Sequence, residues 1–216
     1  MTPHNRRRNR ETGLQGLLAF ARAADGLSRW TGIIAAWFVL LASLVSAFNA
    51  IFRYSINSIV WLGQHYPVLT GPAEALFDLY RDNSNTMRDM QLIMFAGMVM
   101  LGAAWTLKVN EHVRVDLVYS TLDPRRKAWI DLLGCVLFLI PFCVVMIWLS
   151  WPWFWTSWVT DEMSINAGGL PRWPFKLFLP LGFALLLLQG LSELVKCIAT
   201  LAIGYDRGHK YEKPVQ

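Results

Sequence analysis

Residues Thr31–Phe52 read TGIIAAWFVLLASLVSAFNAIF, 22 positions without one charged side chain. At about 1.5 Å per helical residue this stretch covers roughly 33 Å, enough to cross a bilayer core. Its apolar residues are continuous, and the run is too long for the alternating strand of a membrane barrel. Three further runs follow: Met90–Leu107, Leu132–Thr160 and Phe175–Ile203. The last is interrupted by Lys176 near its start and by Glu193 and Lys196 near its end. The pattern predicts an all-α integral membrane protein with four transmembrane helices, at about 31–53, 89–108, 129–158 and 175–203.

Composition agrees. Hydrophobic residues make up 55% of the 216 and charged residues 16%, against roughly 25% charged in a soluble domain. With 11 Trp, 12 Phe and 6 Tyr, the chain is neither disordered, collagen-like nor a disulfide scaffold. Cys135, Cys143 and Cys197 lie in apolar stretches without a CxxC pair, so neither a disulfide framework nor a metal site is expected. The net charge of +5 suits loops facing anionic lipid and does not call for nucleic acid as a partner.

The basic residues orient the spans. Arg6, Arg7, Arg8, Arg10, Arg22 and Arg29 precede the first; Lys108, Arg114, Arg125, Arg126 and Lys127 follow the second; Lys196, Arg207, Lys210 and Lys213 end the chain. Arg53, Arg81 and Arg88 fall in the first loop and Arg172 and Lys176 in the third. The positive-inside rule therefore predicts both termini in the cytoplasm. The organisation expected is a basic cytoplasmic segment at 1–30, a membrane domain at 31–203 and a cytoplasmic tail at 204–216. Within the membrane domain, 54–88 is an external insert and 109–128 a cytoplasmic loop. The first span is expected to be an uncleaved anchor, since its apolar stretch is longer than the core of a signal peptide.

Tyr54–Ala73 is also uncharged, but a fifth span there would place the basic second loop outside. Its Gly63, Pro67 and Gly71-Pro72 fit an external interfacial or re-entrant segment, with a short helix starting near Pro72. Leu14, Leu17, Leu18, Ala21 and Ala24 recur at helical spacing before the first span. They fit either a cytoplasmic interfacial helix or an extension of the span itself.

Trp148, Trp151, Trp155 and Trp158 form one helical stripe and predict an aromatic belt at the outer interface. Pro141 and Pro152 are expected to bend that helix. Asp123-Pro124 predicts an N-cap followed by proline in the first turn. Ala96, Gly97, Ala103 and Ala104 on one helix, and Ala42, Ser46 and Ala50 on another, mark faces where helices can approach closely, within the chain or with another subunit.

The first three apolar runs, Thr31–Phe52, Met90–Leu107 and Leu132–Thr160, hold no Asp, Glu, Lys, Arg or His, unlike a protein that moves ions itself. Glu193 and Lys196, three apart, are expected to pair. His4, His65, His112 and His209 all lie outside the spans, which disfavours a bis-histidine haem. No catalytic residue, cofactor-binding residue or metal ligand is expected. Asn49 is expected to make an interhelical hydrogen bond.

NAIFRY (49–54) closes the first span, GAAWTLKVNEHVRVDLV (102–118) follows the second, and LDPRRKAWIDLLG (122–134) leads into the third. In this order, with four spans and both ends inside, the chain resembles the small membrane subunit (DctQ type) of tripartite ATP-independent periplasmic (TRAP) transporters, over roughly residues 30–200. It departs from the family in its longer first loop and in SNTMRDMQ (84–91), where Asp89 is the only carboxylate before the second span.

The resemblance implies a bacterial inner-membrane protein working in sodium-coupled uptake of organic acids. Its partners would be a large permease subunit, a periplasmic solute-binding protein and membrane lipid. The small subunit would hold the large one in the membrane and help form the docking surface for the binding protein. Two clusters are expected to matter. Asn49, Arg53 and Tyr54 would anchor the outer end of the first span, with Arg53 at headgroups or paired with a partner. Glu111, His112, Arg114 and Asp116 would fix the cytoplasmic loop. The alternative is a membrane-anchor subunit of a redox complex.

Overall fold

The computed structural model describes residues 3–66, 68, 70–109, 122–166 and 168–203. They form α1 (Pro3–His65), α2 (Thr70–Val109), α3 (Pro124–Gly134), a π-helical turn (Cys135–Leu139), α4 (Ile140–Val159) and α5 (Trp173–Ile203). Among the described residues the one extended pairing is an isolated antiparallel bridge, Met163 to Pro171. Four helical stretches are long and apolar enough to cross a membrane: Gln15–His65, Thr70–Val109, Arg125–Val159 and Trp173–Ala202.

The helix α1 runs for 63 residues without a break, about 95 Å at the helical rise. Leu14–Arg29, expected to form either a cytoplasmic interfacial helix or an extension of the first span, are continuous with that span in one helix. The segment after Tyr54, expected to be interfacial or re-entrant, is part of the same helix. Helix α1 continues to His65, and α2 returns alongside it from Thr70, giving one long antiparallel hairpin. Contacts mark the register along its length: Thr70 Oγ1 donates to the Gly63 carbonyl, Tyr80 meets Phe52, Trp105 meets Gly32, and Lys108 Nζ donates to the Asp25 carbonyl. The sequence permits this, since no proline precedes Pro67 in the segment after Tyr54 and a continued helix keeps its backbone groups bonded, and α2 packed alongside selects it. Gly71-Pro72 sits in the first turn of α2, where proline has no intrahelical donor to lose.

The third crossing starts as expected at Pro124, with Asp123 extended at the N-cap position (φ −62°, ψ 151°). The Asp123 side chain makes no capping hydrogen bond, contrary to the expectation; its carbonyl accepts from Lys127 N instead. Ahead of Pro141 the helix widens into the π turn, and Ile140 N donates five residues back to the Cys135 carbonyl. A wider turn accommodates the proline ring, which would otherwise press on the carbonyl four residues earlier.

The most deeply packed helix is α5. In its most apolar window 39% of residues are buried, against 11% in α1 and in the third crossing. The apolar core, Ala35, Leu101, Ala104 and Leu185 with Phe38 and Phe178 against it, joins α1, α2 and α5. Helix α4 packs on α5 from the other side. Outward lie Trp37, Leu44, Phe95, Phe138, Trp148 and many other large apolar side chains, all exposed. A surface of this kind is stable only against lipid or protein.

Candidate functional site

Two polar clamps hold α5, one at each end, with the apolar core between them. At the Asp25 end of the bundle, α5 presents Gln189, Ser192, Glu193 and Lys196 to α1. Lys196 Nζ lies 2.8 Å from both carboxylate oxygens of Asp25 and 2.8 Å from Glu193 Oε1. Asp25 Oδ1 also accepts from Gln189 Nε2 at 2.9 Å and Ser192 Oγ at 3.0 Å. Ser28 Oγ donates to Gln189 Oε1 at 2.6 Å, and both residues are buried. With Lys108 on the Asp25 carbonyl, the clamp ties α1, α2 and α5 together. Every polar atom in this list has a partner, as buried polar groups require.

The second clamp, at the loop end, is built by the connection between α4 and α5. Arg172 N donates to the Glu162 carbonyl at 2.8 Å and Ser164 N to the Leu170 carbonyl at 3.1 Å, folding the segment into a small hairpin. The side chain of Glu162 accepts from Lys176 Nζ and lies 3.4 Å from Arg172 Nη1. The Lys176 hydrogen bond holds the Glu162 carboxyl below its usual pKa. Lys176 Nζ also lies 4.8 Å from the Trp153 ring centroid, a cation–π distance. From α2, Asp89 Oδ2 accepts Leu170 N at 3.1 Å and Thr86 Oγ1 donates to the Gly168 carbonyl. Gly168 has φ +70°, a backbone state that favours glycine. A Cβ on Gly169 would stand 2.5 Å from Asp89 Oδ2, so two successive glycines allow the loop to sit on α2.

Between the α1–α2 hairpin and the start of α5 with its preceding loop lies an open groove of about 1240 Å³. One wall is Ala42, Ser43, Ser46, Ala47 and Ala50 of α1, and Arg88, Asp89, Arg172 and Lys176 gather at its loop end. The two small-residue faces thus diverge. Gly97 and Ala104 are consumed inside the chain: Ala104 is fully buried, and a Cβ on Gly97 would lie 2.4 Å from the Phe38 ring. Ala42, Ser46 and Ala50 line the groove instead.

The residues singled out from sequence fall in three situations. Asn49 faces α2, with Tyr80 Oη 3.4 Å from its Oδ1, whereas Arg53 and Tyr54 point outward and Tyr54 is 81% exposed. The structure therefore separates Asn49 from its two neighbours. Trp148, Trp151, Trp155 and Trp158 are all exposed along α4; Trp158 also packs edge-on against Trp173. Glu111, His112, Arg114 and Asp116 lie outside the described residues.

Glu193 does contact Lys196, but the sequence reading missed their larger setting. The sequence alone singles out none of Asp25, Gln189 and Glu162. The signals were a lone amide inside an otherwise apolar run and two adjacent carboxylates, Asp161 and Glu162, in a loop whose only cations are Arg172 and Lys176.

Comparison with curated proteins and with solved structures gave no match. A family model described as "Tripartite ATP-independent periplasmic transporters, DctQ component" matches residues 80–200. That stretch takes in the second, third and fourth crossings and the loop-end clamp, and on it the chain belongs to the DctQ family of TRAP transporter components.

Proposed function

We propose that this chain is the fixed scaffold subunit of a sodium-coupled TRAP transporter for organic acids. It holds the large permease subunit at a set place in the inner membrane and offers part of the outer surface to the periplasmic binding protein. The observation that carries the reading is the division of the bundle. Its ionisable side chains are clamped near the two ends, around Asp25–Lys196 and Glu162–Lys176. Between them, Phe38, Leu101, Leu185 and Phe178 pack closely. A subunit that moved solute would need polar groups in that middle layer; a brace needs stiffness there.

In this reading both termini and loop 109–128 are cytoplasmic, and 54–88 and 160–172 are external, as the basic-residue bias favours. Membrane residence is supported by the apolar surface, and lipid contacts the tryptophan stripe of α4 at its outer end. Asn49 fixes the α1–α2 hairpin through Tyr80, while Arg53 and Tyr54 face outward toward headgroups or a partner. Glu111, His112, Arg114 and Asp116 secure the cytoplasmic loop.

Reconstitution tests the reading. Vesicles carrying the permease, the binding protein and this chain accumulate substrate under an inward sodium gradient; vesicles lacking this chain do not, and this chain alone gives no uptake. Accumulation by this chain alone would overturn it. Arg53→Ala lowers uptake by the full system, and unchanged uptake would remove Arg53 from the docking surface.

A further inference from the structure

The groove at the loop end contains an unmet hydrogen-bonding demand. Gln91 Nε2 is buried and has no acceptor among the described residues. Gln91 lines the groove, three residues after Arg88 on α2, which is about 4.5 Å deeper along the helix. A buried amide donor left unpaired is costly, so a bound group that supplies an oxygen there is favoured. Around the groove mouth, Arg88, Arg172 and Lys176 exceed Asp89 and Glu162 by one positive charge. Asp89 already accepts the Leu170 N–H. Glu162 braces Arg172 and Lys176, and Lys176 is itself only 7% exposed. Deeper in, the wall from Val39 to Ala50 is made of small side chains and runs about 16 Å along α1.

We propose that this groove is a glycerophospholipid site. The phosphate sits among Arg88, Arg172 and Lys176, a chain-ester carbonyl accepts from Gln91 Nε2, and one acyl chain lies along Ala42, Ser46 and Ala50. The order of groups along the groove is that of the lipid: anion at the mouth, an ester oxygen one helical turn in, hydrocarbon below. A transmembrane helix of a partner fits less well. Its backbone carbonyls are used in its own ladder, so it leaves Gln91 unanswered, and an apolar helix end has no charge for the cationic mouth. The site does not depend on the transport reading, since a lipid bound here would brace α1 against the α4–α5 loop in any membrane complex.

The test is phospholipid retention by the full chain, purified with whatever subunits accompany it in mild detergent and weighed by native mass spectrometry. The wild type keeps one phospholipid, and after detergent washing it takes up added phosphatidylglycerol; inorganic phosphate does not compete. Arg88→Gln with Arg172→Gln weakens retention about tenfold or more. Gln91→Leu weakens it about threefold to tenfold with the mouth intact. Ser46→Phe blocks the acyl lane and releases the lipid. If the double arginine variant does not fold, Gln91→Leu and Ser46→Phe decide. Three results would overturn the site: no retained phospholipid in the wild type, undiminished retention in Gln91→Leu and Ser46→Phe, or loss of a co-purifying subunit from Ser46→Phe with the lipid count unchanged. The last would make the groove a helix-docking seam.

Discussion

Lys196 of α5 is chelated by Asp25 of α1: its ammonium lies 2.8 Å from each carboxylate oxygen, across 171 residues of chain. The side chains are only 12% and 21% exposed, so the pair is shielded from solvent and salt. Because Glu193 shares the same ammonium, removing Lys196 leaves two carboxylates facing each other.

Lys196→Met is accordingly expected to destabilise the bundle by about 3 kcal/mol, the range for breaking a buried pair on one side. Asp25→Asn, which keeps the hydrogen bonds to Gln189 and Ser192 possible, costs less. Adding Asp25→Asn to Lys196→Met recovers part of the loss. Reversible denaturation in mixed micelles measures all three; additive single effects would show that the pair is not coupled.

At the loop end the dependence on pH has a definite sign. Lys176 holds the folded-state pKa of Glu162 below its ordinary 4.5. The stabilisation is therefore fully present above that ordinary value and is lost as pH falls through the lowered one. Protection of the 160–172 amides, referenced to their intrinsic exchange at each pH, is expected to fall on acidification below the ordinary 4.5. In Glu162→Gln the same amides show low protection on both sides of that value, with the acid step gone.

Two glycines make a matched pair. At Gly97 a Cβ would stand 2.4 Å from Phe38 and 3.0 Å from Phe178, so Gly97→Ala forces rings apart at an expected cost of about 1–3 kcal/mol. At Gly134 nothing lies within 4 Å of a Cβ, and Gly134→Ala gains about 0.5–1 kcal/mol from helix propensity. Thermal unfolding in one detergent compares them. Equal shifts would mean that the α1–α2–α5 contact at Phe38 is not close-packed.

The Tyr80–Asn49 hydrogen bond is long, at 3.4 Å. Tyr80→Phe is expected to cost well under 1 kcal/mol, in line with polar pairs between helices in membranes. It keeps the ring that stacks on Phe52 at 6.2 Å. Tyr80→Ala, which loses both, costs more. A Tyr80→Phe variant as unstable as Tyr80→Ala would place the weight on the hydroxyl.

Four runs of apolar residues, each long enough to cross hydrocarbon, by themselves determined the number of crossings and the helical class. Lipid offers the backbone no hydrogen bonds, so such a run has to close its own ladder. The same local logic placed the start of α3 at Pro124 and the pairing of Glu193 with Lys196, three residues apart on one helix. The motifs at 102–118 and 122–134 carried the family. What local reasoning could not supply was everything that depends on two distant segments meeting. The length of α1 was one case: whether Tyr54–His65 turns back or continues is decided by α2 lying alongside it, and interfacial composition suits both outcomes. The clamps were another. Asp25 and Gln189 are unremarkable at their own positions, and only the packing of α1 on α5 brings carboxylate, amide and ammonium within 3 Å. The two small-residue faces look alike in sequence, yet Gly97 is filled by Phe38 and Phe178 while Ser46 borders open space. Small side chains permit close approach without naming what approaches, and that choice belongs to the tertiary structure.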